Sequence, residues 1–181
     1  MSFTFVVETG QALPDATSYV NIEFADDYVE QDIHKSDEWL GLDEDVKERL
    51  LSRASKMLDS RVQWKGRKYD SDSGLKWPRV GVMDPDSYTM ISDDVVPRIV
   101  MEATVEYAKY FMEDDIVAGS TISNYREIQV DVIELKINNE TNPALVPDVV
   151  KTMIENSGLG TVDDGTSSTN GRMGFKKIRR T

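Results

Sequence analysis

Apolar residues recur at helical spacing in three stretches of this chain and at alternate positions in two others. Asn21 precedes Ile22, Ala25, Val29 and Ile33, joined by Tyr28, which predicts a capped helix from residue 22 to about 33. Val46, Leu50, Leu51, Ala54, Met57, Leu58 and Val62 share one face of a second helix. It opens at Asp43 or Asp45, with acids in the first turn where the helix dipole favours them. The third helix begins at Pro97, a residue suited to a first turn, and carries Val100, Ala103, Tyr107, Ala108 and Phe111 on one side. It ends between residues 113 and 119.

Period two replaces this pattern at both ends. Phe3, Phe5 and Val7 alternate with Thr4, Val6 and Glu8, which predicts a short strand before a loop with Pro14 and Asp15. Ile128, Val130 and Val132 hold one phase, and Ile133, Leu135 and Ile137 the other; the slip reads as a bulge in a single strand. That strand needs a ladder, either from residues 3–8 or from a neighbouring subunit. A short fourth helix follows over 145–154, opening at Pro147.

The expected fold is mainly α: a helical bundle with a short β element and an extended C-terminal arm. Residues 1–20 form an N-terminal strand and loop, and residues 21–155 the helical domain. That domain contains a glycine- and proline-punctuated loop over 63–92 and the strand over 126–137. Its core holds Val29, Leu50, Leu51, Leu58, Val100, Ala103, Tyr107 and Phe111. Residues 156–181 read as a flexible linker with a basic end.

Charge sharpens that last division. The chain carries −12, but residues 171–181 hold five basic side chains and no acid, so the remainder has 16 basic against 33 acidic residues, a net −17. Such a body repels phosphates, and the asymmetry calls for an acidic partner for the tail. No run of about 18 apolar residues offers a membrane span, and a cleavable leader is not expected from the first residues. The absence of cysteine excludes disulfides and thiolate metal sites.

Chemistry is sparse. The one histidine, His34, falls at the expected end of the first helix, where its charge suits the dipole better than a catalytic role. The acid pairs 26–27, 93–94, 114–115 and 163–164 lack calcium-loop spacing, and no nucleophile elbow or phosphate-binding glycine loop occurs. No enzyme, cofactor or metal is expected. Trp64, Lys65, Arg67, Lys68, Trp77 and Arg79, with Arg61, Tyr69 and Lys76 among them, interleave cations with rings as a single-stranded nucleic-acid site would. The structural alternative has both tryptophans anchoring the loop, with Arg79 in a buried ion pair. In the tail, Phe175 and Ile178 are apolar anchors among Arg172, Lys176, Lys177, Arg179 and Arg180.

In their order and spacing, several of these pieces resemble a family of phage head-to-tail adaptors that often carry the label of DnaT-like single-stranded-DNA-binding proteins. The pieces are Glu8-Thr9-Gly10, Leu13 to Val20, Trp64-Lys65-Gly66-Arg67, Trp77-Pro78-Arg79 and Val96-Pro97. The resemblance covers residues 7 to 112, with Gln11 and Lys76 departing from it. It implies a helix-rich structural virion protein, assembled in the host cytoplasm as a homo-oligomeric ring, commonly of twelve copies. That ring sits beneath the portal protein, passes packaged DNA without specific binding and offers tail or nozzle proteins an attachment surface. The basic tail would then anchor the ring to the portal. The other reading is a single-stranded-DNA-binding accessory protein of phage replication.

Overall fold

The computed structural model describes residues 3–113, 128–130, 133–135 and 145–163. Helix α1, Ile22–Val29, is capped as its sequence predicts: the Asn21 side chain accepts from the Phe24 N–H at 2.9 Å. It stops four residues early. The Asp32 carboxylate accepts from the N–H groups of His34 and Lys35 at 2.9 and 3.2 Å and pairs with Lys109 at 2.6 Å. These local bonds compete with helix continuation. Ile33, expected on the buried face, is therefore 90% exposed, and His34 sits in an exposed turn beyond the helix. A short helix α2, Ser36–Leu40, then inserts Trp39 into the core, a feature its five residues could not announce.

Helices α3, Glu44–Arg61, and α4, Arg98–Glu113, follow the predicted periodicity. α4 is the hub, packing against α3, against α1 and against α5, Asp148–Asn156. Val29, Leu51, Leu58, Val100, Ala103, Tyr107 and Phe111 are buried as expected, whereas Leu50 is half-buried at the margin. Tyr107 and Phe111, one turn apart, stack with centroids 4.9 Å apart and planes 12° from parallel. None of the described helices is long and apolar enough to cross a membrane.

The helical-bundle expectation is overturned. Helix makes up less than half of the structure, and the described residues include three separate two-stranded ladders and long irregular segments. β1, Val62–Trp64, continues directly from α3 and pairs antiparallel with β6, Gly160–Val162. β2, Arg67–Lys68, pairs with β3, Arg79–Val80, inside the 63–92 segment. β4, Ile128–Val130, pairs with β5, Ile133–Leu135, with Val130 opposite Ile133. The phase slip thus marks two strands of one antiparallel ladder and not a bulge in one strand, and among the described residues no ladder joins 3–8 to either strand. Those residues form only an isolated parallel bridge, Val7 to Ser18.

The linker also starts later than composition suggests. Leu159 is buried, its carbonyl accepts from Lys65 N–H at 2.8 Å, and Asp163 N–H donates to Arg61 at 2.8 Å. Gly160 makes this possible, because a Cβ there would lie 2.8 Å from Val62 Cγ1 and 2.9 Å from the Gln63 carbonyl. Three residues carry too little periodicity to be read as a strand. The tail residues Arg172, Phe175, Lys176, Lys177, Ile178, Arg179 and Arg180 lie outside the described residues.

Candidate functional site

The basic-aromatic segment is organised around one carboxylate. Asp59, near the end of α3, is buried; its Oδ1 accepts from Tyr19 Oη at 2.7 Å and Trp64 Nε1 at 3.0 Å, and its Oδ2 from the Lys76 N–H at 2.8 Å. Burial raises its pKa, and these hydrogen bonds oppose the rise. Tyr19 is pushed well above the ordinary tyrosine value by its own burial first and by the Asp59 charge second. Its oxygen also accepts from the Lys76 and Trp77 N–H groups at 3.1 and 3.2 Å. A pair of groups some 40 residues apart in sequence thereby pins the loop to the helical body.

Both tryptophans face inward. Trp77 is fully buried and Trp64 is 8% exposed; their rings meet edge to face at 84° with centroids 5.8 Å apart. The Trp77 Nε1 has no hydrogen-bond partner among the described residues, so this ring serves by packing. Neither can stack on a base without unfolding the segment.

Most of the cations are also committed to internal partners. Arg79 is buried, but among the described residues it meets no carboxylate, which corrects the expected ion pair. Its Nε donates to the Lys65 carbonyl at 2.6 Å, Nη1 to Lys76 at 3.0 Å and Nη2 to Gly66 at 2.9 Å. Burial lowers its pKa, and the Tyr19 and Asp59 side chains offset part of that. A planar fork reaching three carbonyls ties the Lys65–Gly66 turn between β1 and β2 to the start of β3 as a Lys ammonium could not. Lys68 Nζ donates to the Ser73 carbonyl at 2.8 Å, and Lys76 Nζ donates to the Asp59 and Val62 carbonyls. What faces solvent is a small patch: Lys65, Arg67 and Tyr69, the last 54% exposed.

The glycines and acids of the other pieces have equally local reasons. Gly66 adopts φ +68°, and a Cβ there would sit 2.4 Å from the Val80 carbonyl. Glu8, buried, takes the N–H groups of Gly10 and Ala12 on Oε1 at 2.8 and 3.0 Å and that of Leu13 on Oε2 at 2.8 Å, which orders the loop before Tyr19. A second buried charge joins three helices: Lys47 Nζ lies 2.9 Å from Asp26 Oδ1, which also accepts from Trp39 Nε1 at 2.7 Å. Asp26 is thus spoken for and not half of a metal-binding pair. Among the described residues no cluster of three or more His, Asp or Glu has the proximity to hold a metal ion.

Sequence reasoning marked the pieces that hold Glu8 and Tyr19 without giving either residue a role, and it passed over Asp59. A signal existed for Asp59: with Leu51, Ser55 and Leu58 it falls on the buried face of α3, and a polar residue on an apolar stripe demands a partner.

Residues 3–174 match the family described as "Putative DnaT-like ssDNA binding protein". The chain belongs to that family. No curated protein and no solved structure matches the chain.

Proposed function

We propose that this chain acts by binding and not by catalysis, as a subunit of the adaptor ring between a phage portal and its tail. The observation that carries this reading is the fate of the nucleic-acid candidates. Trp64, Trp77, Arg79, Lys68 and Lys76 are spent holding the 62–80 segment to the helical body, so the motif's residues have a structural purpose that needs no DNA. An acidic body, net −17 outside the basic tail, suits a channel that DNA must traverse without adhering. The head-to-tail resemblance of the same residues supplies the setting.

A second reading, a single-stranded-DNA-binding accessory protein, is favoured by the family's description, which bears on it more directly than on the adaptor role. It retains a reduced site: Lys65 and Arg67 for phosphates, Tyr69 for one base. One pair of measurements separates the two. Electron microscopy of the protein with its portal should give rings seated on portal particles, and labelled oligonucleotide should bind no tighter than the non-specific range at physiological salt. Tight, salt-sensitive oligonucleotide binding lost in Lys65→Ala/Arg67→Ala, without portal association, would reverse the assignment.

A further inference from the structure

A groove of about 500 Å³ opens between α1 and the start of α4, within the size range of ligand-binding clefts. Its floor is apolar, from Val7, Phe24, Val95 and Met101, and its rim carries Glu23 and Asp27. Both carboxylates are exposed and have no ion pair among the described residues. The Arg98 guanidinium lies 5.8 Å from the centroid of the Phe24 ring, but it is already paired with Glu102 at 2.7 Å. Two other acids of α1 and its following turn do have cations, Asp26 with Lys47 and Asp32 with Lys109, and the groove's third acid, Glu8, is satisfied by the N–H groups of Gly10, Ala12 and Leu13. An apolar floor with two unneutralised acids calls for a ligand that combines apolar side chains with positive charge.

The chain itself contains such a segment. Phe175 and Ile178 stand among Arg172, Lys176, Lys177, Arg179 and Arg180, with no acid from residue 171 onward. From Asp163, where the described domain ends, thirteen residues lead to Lys176, a reach of about 40 Å at roughly 3.3 Å per residue. A domain of this length has a radius of gyration of about 15 Å, so the tail's reach is comparable with the width of its own molecule. Tethering also raises the local concentration of the tail at the groove to about the millimolar range. We propose that residues 172–180 dock in the groove of their own molecule, with Phe175 and Ile178 on the apolar floor and the flanking cations on Glu23 and Asp27. This assigns the tail to the acidic body in place of the portal, and it is independent of the adaptor role.

Photo-crosslinking tests the proposal on the full-length chain. With p-benzoylphenylalanine in place of Phe175, irradiation at sub-micromolar concentration and low salt should produce adducts within one molecule. Mass spectrometry should map them to Phe24, Val95 or Met101. Glu23 and Asp27 are exposed, so Glu23→Lys/Asp27→Lys should fold normally by circular dichroism yet lower the adduct yield about tenfold. Met83 and Met90, at 47% and 70% exposure, are built-in decoys, because they are among the most accessible apolar side chains outside the groove. Adducts at those methionines, adducts between copies, adducts formed only when portal is added, or a yield unchanged in the charge-reversed variant would each overturn it.

Discussion

The inner and outer halves of the 63–92 excursion are built on opposite plans. Residues 64–82 bury Trp64, Leu75, Trp77, Arg79 and Val82, and their side-chain bonds reach Tyr19 and Asp59. Residues 83–90 leave Met83, Tyr88 and Met90 exposed, and their side-chain bonds stay within the turn: Asp84 accepts from Asp86 N–H at 2.9 Å and from Ser87 Oγ at 2.8 Å. Both halves have the proline and aspartate content of a loop. What separates them is the sequence distance over which their bonds close. The inner half is part of the domain's stability, and the outer half is held in shape while adding little to it.

Aromatic removal should separate the halves most widely. Trp77→Ala is expected to cost about 3–5 kcal/mol in a urea melt, and Trp64→Ala nearly as much. Tyr88 is 78% exposed at φ +54°, a conformation unfavourable for a bulky residue, so Tyr88→Gly should be neutral or stabilise by up to about 1 kcal/mol. Equal losses at Trp77 and Tyr88 would erase the contrast.

Next in size is the carboxylate. Asp59→Ala leaves Tyr19 Oη and Trp64 Nε1 without their acceptor and the Lys76 N–H with Tyr19 Oη alone, for an expected loss of about 3 kcal/mol. Asp84→Ala, confined to the exposed turn, should leave the urea midpoint nearly unchanged.

Glycine substitutions give a finer comparison. Gly66 and Gly81 both have positive φ, but a Cβ on Gly66 would meet Val80 and Val82, whereas one on Gly81 would meet nothing within 4 Å. Gly81→Ala should therefore cost only the backbone term, about 1–2 kcal/mol. Gly66→Ala should exceed it by at least about 1 kcal/mol, because β2 and β3 must part to make room. Identical melting temperatures for the two variants would show that the β2–β3 ladder is loosely held.

The smallest effect is the dependence on pH. Burial raises the Asp59 pKa, whereas hydrogen bonds from the Asp86 N–H and the Ser87 hydroxyl lower that of Asp84. A raised carboxylate favours the fold more when protonated, so the Asp59 contribution improves as pH falls through its folded-state value. Asp84 behaves oppositely: its contribution is present above the ordinary carboxylate range and fades as pH falls below it. Carboxyl-carbon NMR titration should place the two midpoints on opposite sides of that range; coincident midpoints would mean that the two environments are alike.

Local chemistry by itself determined the long helices, since α3 and α4 each repeat an apolar face often enough to be read, and Asn21 can cap α1 without help from the rest of the fold. It also marked the Trp-Lys-Gly-Arg and Trp-Pro-Arg pieces as special without saying what for: cations among rings describe a DNA site and a loop anchor equally well. Only the tertiary structure revealed the anchoring use, by turning both tryptophans inward onto Tyr19 and Asp59 and by placing Arg79 on three carbonyls. The same holds for β6, whose three residues become a strand only because β1 lies beside them, and for Trp39, which is buried because Asp26 and Lys47 meet it from two other helices. Periodicity reports the side of an element that avoids water; it does not report which distant group will satisfy a buried donor. That choice belongs to the packed chain, where leaving a polar group unpaired costs about 1–3 kcal/mol.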